Sequence, residues 1–226
     1  CALPIYYFHP MINNYNMDVR WANLLITKTS TCVEDHKDLL TELDSKIGDA
    51  DHGINMSRGF QAIMAISPEL SKLTFEEALK KAGMTLLMKV GGASGPLFGS
   101  FLIGMSKATS HEVISISKFS LMFENGVADV KKRGKSDIGE KTMLDVLVPV
   151  SMQLKEDVSN STDEQQLIRN IIQRAEEGLE STRLMRATKG RASFLGERSI
   201  GHLDPGAMTS CLLIKTICET FNSENE

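Results

Sequence analysis

Residues 47–60 read Ile-Gly-Asp-Ala-Asp-His-Gly-Ile-Asn-Met-Ser-Arg-Gly-Phe, and Asp44 stands three positions ahead of them. Gly48 permits a sharp reversal, and the alternation of Asp49 and Asp51 points both carboxylates the same way in extended backbone. After Asp51 the apolar residues recur at helical spacing, so a helix is predicted to begin here. The stretch therefore predicts three carboxylates beside a helix start.

Three carboxylates at this spacing favour a cation site, with Asp44, Asp49 and Asp51 as the ligands. Hard oxygen donors without cysteine suit Mg²⁺ or Ca²⁺ rather than Zn²⁺. The free N–H groups of the helix start could hold a phosphate beside the metal. An EF-hand loop does not fit, because Lys46 or Phe60 would occupy required ligand positions. The plain alternative is a solvated acidic turn that caps a helix.

Composition limits the classes of protein to which the chain can belong. Its 226 residues fit one large domain or two small ones, and 42% hydrophobic with 24% charged residues is ordinary for a globular protein. The net charge of −4 argues against a nucleic-acid partner. No apolar run approaches the roughly 20 residues needed to span a bilayer, so no membrane association is expected.

The cysteines indicate a reducing compartment. None of the four forms a C-x-x-C pair, and Cys211 and Cys218 lie on one apolar helical face. They are interpreted as reduced residues of a cytoplasmic protein, together with Cys1 and Cys32.

The apolar residues recur at helical spacing along almost the whole chain. Residues 1–16 have no period and are interpreted as an N-terminal extension or expression remnant, which leaves 17–226 as the folded domain. Eight helices are predicted, at about 19–43, 53–67, 74–90, 96–105, 118–132, 142 onward, 162–183 and 204–221. Only 113–117 suggests a strand. The prediction is a single-domain all-α bundle with antiparallel neighbours.

Three further loops rich in glycine or polar residues are also candidates for binding a nucleotide or its phosphates. Residues 90–96 read Val-Gly-Gly-Ala-Ser-Gly-Pro and lead into a helix, so their N–H groups could approach a nucleotide, although such glycines also serve helix packing. Residues 139–145 and 200–207 each precede a helix, and Arg191 could bind a phosphate in a forked geometry. No Walker A motif is present, because Asp129 stands where its leading glycine belongs.

Together these motifs resemble the L subunit of dihydroxyacetone kinase over about residues 17–221. The resemblance implies an eight-helix antiparallel up-and-down barrel that holds ADP or ATP and two Mg²⁺ ions at one end. It implies that Asp44, Asp49 and Asp51 bind the metal. The residues implied to bind the nucleotide are His52, Gly53, Ile54, Asn55, Ala93, Ser94, Gly134, Met143, Arg191, Asp204, Pro205 and Gly206.

The same resemblance implies a phosphotransferase. In that family, a phosphohistidine on an M subunit phosphorylates the bound ADP, and the ATP passes its phosphate to dihydroxyacetone on a K subunit. Positioning and charge neutralisation suffice for such a transfer. Ala50 replaces a usual glycine and Phe98 a frequent tyrosine, which leaves open a paralogue for another short ketose. An ADP-loaded co-regulator of a transcription factor and a Mg²⁺-dependent hydrolase are two further hypotheses for the same site.

Overall fold

The computed structural model describes residues 19–108 and 114–223. This part of the chain is helical and contains no strand, which confirms the all-α single-domain prediction. No helix in it is both long and apolar enough to cross a bilayer. The α-helices are α1 Val19–Asp35, α2 Lys37–Ile47, α3 His52–Ala65, α4 Ser67–Leu70, α5 Phe75–Lys89, α6 Ser94–Met105, α7 Ile116–Gly134, α8 Leu144–Ser159, α9 Glu164–Ser181 and α10 Pro205–Ser223.

Eight of these helices form a closed ring around the apolar core. In ring order they are α1, α3, α5, α6, α7, α8, α9 and α10, and α10 packs against α1 to close it. Helices α3, α6, α8 and α10 begin at one end of the ring, whereas α5, α7 and α9 finish near that same end. Ring neighbours therefore run antiparallel, and four helix N-termini converge at one end.

The structure corrects several predicted boundaries. The predicted long first helix is two helices, because the backbone of His36 leaves the helical region (φ −103°, ψ 8°) and its ring lies 2.8 Å from the Cys32 carbonyl oxygen. The strand prediction was wrong for residues 114–117, since Ser115 caps α7 and Ile116 begins it. The extension 1–16 and Val113 lie outside the described residues.

The predicted helix starts are supported by capping hydrogen bonds. Thr74 and Glu77 form a complete capping box at α5. Asp204 accepts the Ala207 amide at 2.8 Å, with Pro205 as the first residue of α10. These caps fix where α5 and α10 begin, and α10 begins at the end where the acidic turn lies.

Two 3₁₀ segments, Thr182–Leu184 and Arg191–Ser199, occupy the connection between α9 and α10. The second bends at Gly196, whose backbone is not helical (φ 57°, ψ −127°). The segment contacts α2, which brings Arg191 over the acidic turn.

Candidate nucleotide and metal site

The three predicted metal ligands converge. Asp44, Asp49 and Asp51 each place one carboxylate oxygen within 4.8 Å of the others. Asp44 is buried on α2, and its Oδ2 accepts the backbone amides of Asp51 at 2.9 Å and His52 at 3.2 Å. The turn is thus folded back onto the helix that precedes it. An all-oxygen donor set of this kind fits Mg²⁺.

Ala50, between the exposed Asp49 and the half-buried Asp51, has a left-handed backbone (φ 59°). For an L-residue with a Cβ this region costs roughly 1–2 kcal/mol, whereas glycine adopts it freely. Ala50 is therefore a strained position in the turn.

Ala50→Gly is expected to raise the free energy of unfolding by up to about 1 kcal/mol, because relief of the strain exceeds the added entropy of the unfolded chain. Urea unfolding measures this change in the free energy of unfolding. Ala128→Gly, at an exposed site inside α7, is the matched control, and its free energy of unfolding should fall by about 1 kcal/mol. Equal losses in both variants would contradict the assignment of strain to Ala50.

The acidic turn forms one wall of a cavity of about 650 Å³, within the range of small-molecule sites. The starts of α3, α6, α8 and α10 reach it, so the positive ends of four helix dipoles face the carboxylates. Besides the three aspartates, the predicted residues that line it are His52, Ala93, Ser94, Gly134, Met143, Arg191, Asp204, Pro205 and Gly206.

Three residues assigned by resemblance do not line this cavity. Gly53 lies against the backbone of α2, Ile54 is 44% exposed, and Asn55 is buried behind Gly91. Their proposed role in binding phosphate stays a prediction. The absence of a side chain at Gly53 lets α3 pack closely against α2, and the buried Asn55 lies next to the loop at Gly91.

The cavity also has lining residues that the sequence did not single out. They include Arg133, Ser136, Lys141 and Phe194. Phe194 is 88% exposed at the cavity and Lys141 is about 1% exposed. The signal for Lys141 was its place in the 139–145 motif, whereas nothing in the local pattern marked Phe194.

His52 connects two of the converging helices. Its Nδ1 lies 2.9 Å from Ser94 Oγ on α6, and its Nε2 lies 2.8 Å from Thr209 Oγ1 on α10. Because Thr209 donates its hydroxyl to the Pro205 carbonyl, we assign the ring proton to Nε2, so that Ser94 donates to Nδ1. Burial lowers the pKa of His52 to about 4, against the opposing charges of Asp44 and Asp51. The ring is a neutral bridge with both nitrogens engaged.

His52→Gln should make stability less sensitive to acid. Unfolded His52 takes up a proton near pH 6.5 and folded His52 only near pH 4, so its contribution weakens as the pH falls through this window. Wild type should lose about 2 kcal/mol more than the variant between pH 7.5 and pH 5. Urea unfolding at both pH values measures the difference. Parallel losses would contradict a buried neutral imidazole.

Arg191 faces the acidic turn directly. Its Nη2 lies 3.0 Å from Asp49 Oδ2, and both side chains remain accessible to solvent. An exposed pair of this kind adds little stability. Arg191 is therefore held beside the carboxylate cluster by a weak, solvent-accessible pair.

Asp204 lines the cavity at the start of α10. Its carboxylate caps α10 at Ala207, and burial raises its pKa to about 7, opposed by the Ala207 amide and by Lys141. A Cβ on Gly206 would lie 3.6 Å from that of Met143, so the starts of α8 and α10 are in close contact. These two helix starts form one continuous surface for a ligand.

The described residues form a helical barrel with carboxylates and four helix N-termini at one end, an arrangement suited to a phosphate and a hard cation. The DAK2 domain model matches residues 46–219. The chain belongs to the DAK2 domain family, together with the DhaL subunits of dihydroxyacetone kinases, which confirms the resemblance found in the sequence.

Bacterial relatives match this chain nearly end to end, whereas a human relative matches it over part of a longer protein. The ADP-binding subunit DhaL of PEP-dependent dihydroxyacetone kinase 1 from Listeria innocua is 43% identical, over 90% of this chain and 97% of that protein. The Escherichia coli DhaL subunit is 41% identical, over 85% and 92%. Human triokinase/FMN cyclase is 31% identical, over 88% of this chain and 34% of its own length.

The fold also matches a solved structure. The dihydroxyacetone kinase of C. freundii superimposes with a TM-score of 0.69 at 19% identity, over 97% of this chain and 38% of that one. The same kinase has been solved in complex with AMP-PNP and Mg²⁺. At this identity the likeness establishes the fold alone.

Proposed function

We propose that this chain is the ADP-binding subunit of a PEP-dependent dihydroxyacetone kinase. Bound ADP accepts a phosphoryl group from a phosphohistidine on an M subunit, and the resulting ATP passes it to dihydroxyacetone on a K subunit in the cytoplasm. The observation that carries the proposal is the convergence of three carboxylates within 4.8 Å on a cavity that four helix N-termini enter.

Asp44, Asp49 and Asp51 would hold the Mg²⁺, and two ions are proposed. When bound, Mg²⁺ neutralises the charge of the phosphates during transfer. Asp44 is fixed in place by two backbone amides, whereas the ion-pair partner of Asp49 among the described residues is Arg191. Asp49 would exchange Arg191 for the cation, which would leave Arg191 available to the phosphates.

The phosphates would lie on the helix starts, close to Ser94 and Gly206. Ser94, the first residue of α6, would offer them its backbone N–H, since its hydroxyl is engaged by His52. Leu97, Val130 and Met143 form an apolar wall suited to a nucleoside. The fixed amides position the phosphate for in-line transfer with little reorganisation.

Among the described residues that line the cavity, none is placed as a general base for a sugar hydroxyl. Both ring nitrogens of His52 are engaged, and Asp204 is committed to capping α10. This arrangement supports an acceptor bound on a separate chain. Phe194, exposed at the cavity, is proposed to contact that K subunit.

Two measurements test the proposal. Native mass spectrometry of the purified chain should find one retained ADP with Mg²⁺. Reconstitution with K and M subunits and phosphoenolpyruvate should then phosphorylate dihydroxyacetone. Retained ADP with transfer to a different ketose would identify a paralogue. A chain that binds no nucleotide, or that releases phosphate steadily without partners, would contradict the carrier function.

A further inference from the structure

Lys141 has an unusual place in the cavity wall. It is about 1% exposed, and its backbone is left-handed (φ 58°), a conformation that non-glycine residues seldom adopt. Its ammonium donates hydrogen bonds to the carbonyl oxygens of Thr182 and His202. Lysines are almost never fully buried unless they are paired, so this placement requires an explanation.

The two carbonyls belong to the segments that define the nucleotide end. Thr182 follows directly after α9, where the negative end of the helix dipole favours a cation. His202 lies two residues before Asp204, the cap of α10. Thr182 Oγ1 in turn accepts the Asp204 amide at 3.1 Å. Lys141 thus joins the start of α8, the end of α9 and the start of α10.

The Lys141 ammonium has little hydrogen-bonding capacity left for a ligand. Burial lowers the pKa of Lys141, and the charges of Asp204 and Asp145 oppose that shift. Two of its three donors are used by carbonyl oxygens, and the nearby carboxylates attract the charge inward. The cavity-facing cation beside the metal turn is instead Arg191.

We propose that Lys141 is a positioning residue that sets the spacing between the starts of α8 and α10, and that it does not bind phosphate. This inference rests on the proposed nucleotide site. Through that spacing it acts on the whole nucleotide, because Met143 and Gly206 approach each other next to it. Its loss therefore weakens the nucleoside and phosphate contacts together.

The test compares ADP with adenosine, each titrated calorimetrically in the presence of Mg²⁺. Lys141→Met should weaken both ligands by a similar factor, about tenfold, because two buried carbonyl oxygens lose their donor. Lys141→Arg should restore part of the loss. Lys155→Met, which removes the same charge from the exposed face of α8, is the matched control and should leave both affinities unchanged.

A second variant covers the case in which Lys141→Met fails to fold. Thr182→Val removes the hydroxyl that accepts the Asp204 amide and donates to the Leu179 carbonyl oxygen, and it should weaken the binding of ADP and of adenosine by a similar factor. Loss of ADP affinity with adenosine unchanged would overturn the inference, as would unchanged binding of both. Wild-type protein that binds neither ligand would overturn the proposed function itself.

Discussion

Asp49→Ala is expected to weaken ADP binding in the presence of Mg²⁺ by about 100-fold or more, while the chain stays folded. Asp49 is the exposed member of the carboxylate cluster, and its only ion-pair partner among the described residues is Arg191. Its removal takes a ligand from the metal without opening the core. Calorimetric titration of ADP with and without Mg²⁺ measures the effect.

Glu42→Gln is the matched control for this change. Glu42 is an exposed carboxylate on α2 that pairs with Lys46, outside the cluster. It should leave ADP affinity unaltered, because a solvated surface pair contributes little. If Asp49→Ala bound ADP as tightly as the control with Mg²⁺ present, the assignment of the metal site would be wrong.

Gly53→Ala should have the largest effect on stability, a loss of about 3 kcal/mol in the free energy of unfolding. A Cβ at Gly53 would lie 2.0 Å from the Lys37 carbonyl oxygen and 2.4 Å from Thr41 Oγ1. Because the closest atom is backbone, α2 and α3 would have to separate. That movement would displace His52 and the acidic turn, so ADP binding should fall as well.

Gly91→Ala is the control that tests whether steric crowding causes the loss of stability expected for Gly53→Ala. A Cβ there would meet Asn55 at 3.4 Å, an ordinary contact, so its unfolding free energy should change by less than about 0.5 kcal/mol. Urea unfolding of both variants gives the comparison. A tolerated alanine at position 53 would mean that α2 and α3 do not approach as closely as described.

The part of the site that could be predicted from sequence is the part encoded locally. Asp49 and Asp51 are two residues apart, and helix caps such as Thr74 and Asp204 depend on neighbours three positions away. Charge, spacing and capping can all be seen in a short window. The carboxylate cluster and most of the helix starts followed from them.

What could not be predicted depends on contacts between distant segments. The break at His36 arises where its ring engages the Cys32 carbonyl oxygen, in a stretch whose hydrophobic period is continuous. Lys141 is buried because Thr182 and His202, some 41 and 61 positions away, supply its acceptors. Phe194 is exposed at the cavity only because the segment around it folds back over α2.

In the proposed function the bound nucleotide is a carrier and not an exchanging substrate. The most direct measurement loads the chain with isotopically labelled ADP, adds phosphorylated M subunit, and follows the label before and after K subunit and dihydroxyacetone are added. We expect the label to become protein-bound ATP, to return to protein-bound ADP as the sugar phosphate forms, and to stay on the chain throughout. Exchange of the label with free nucleotide at every turnover would contradict it.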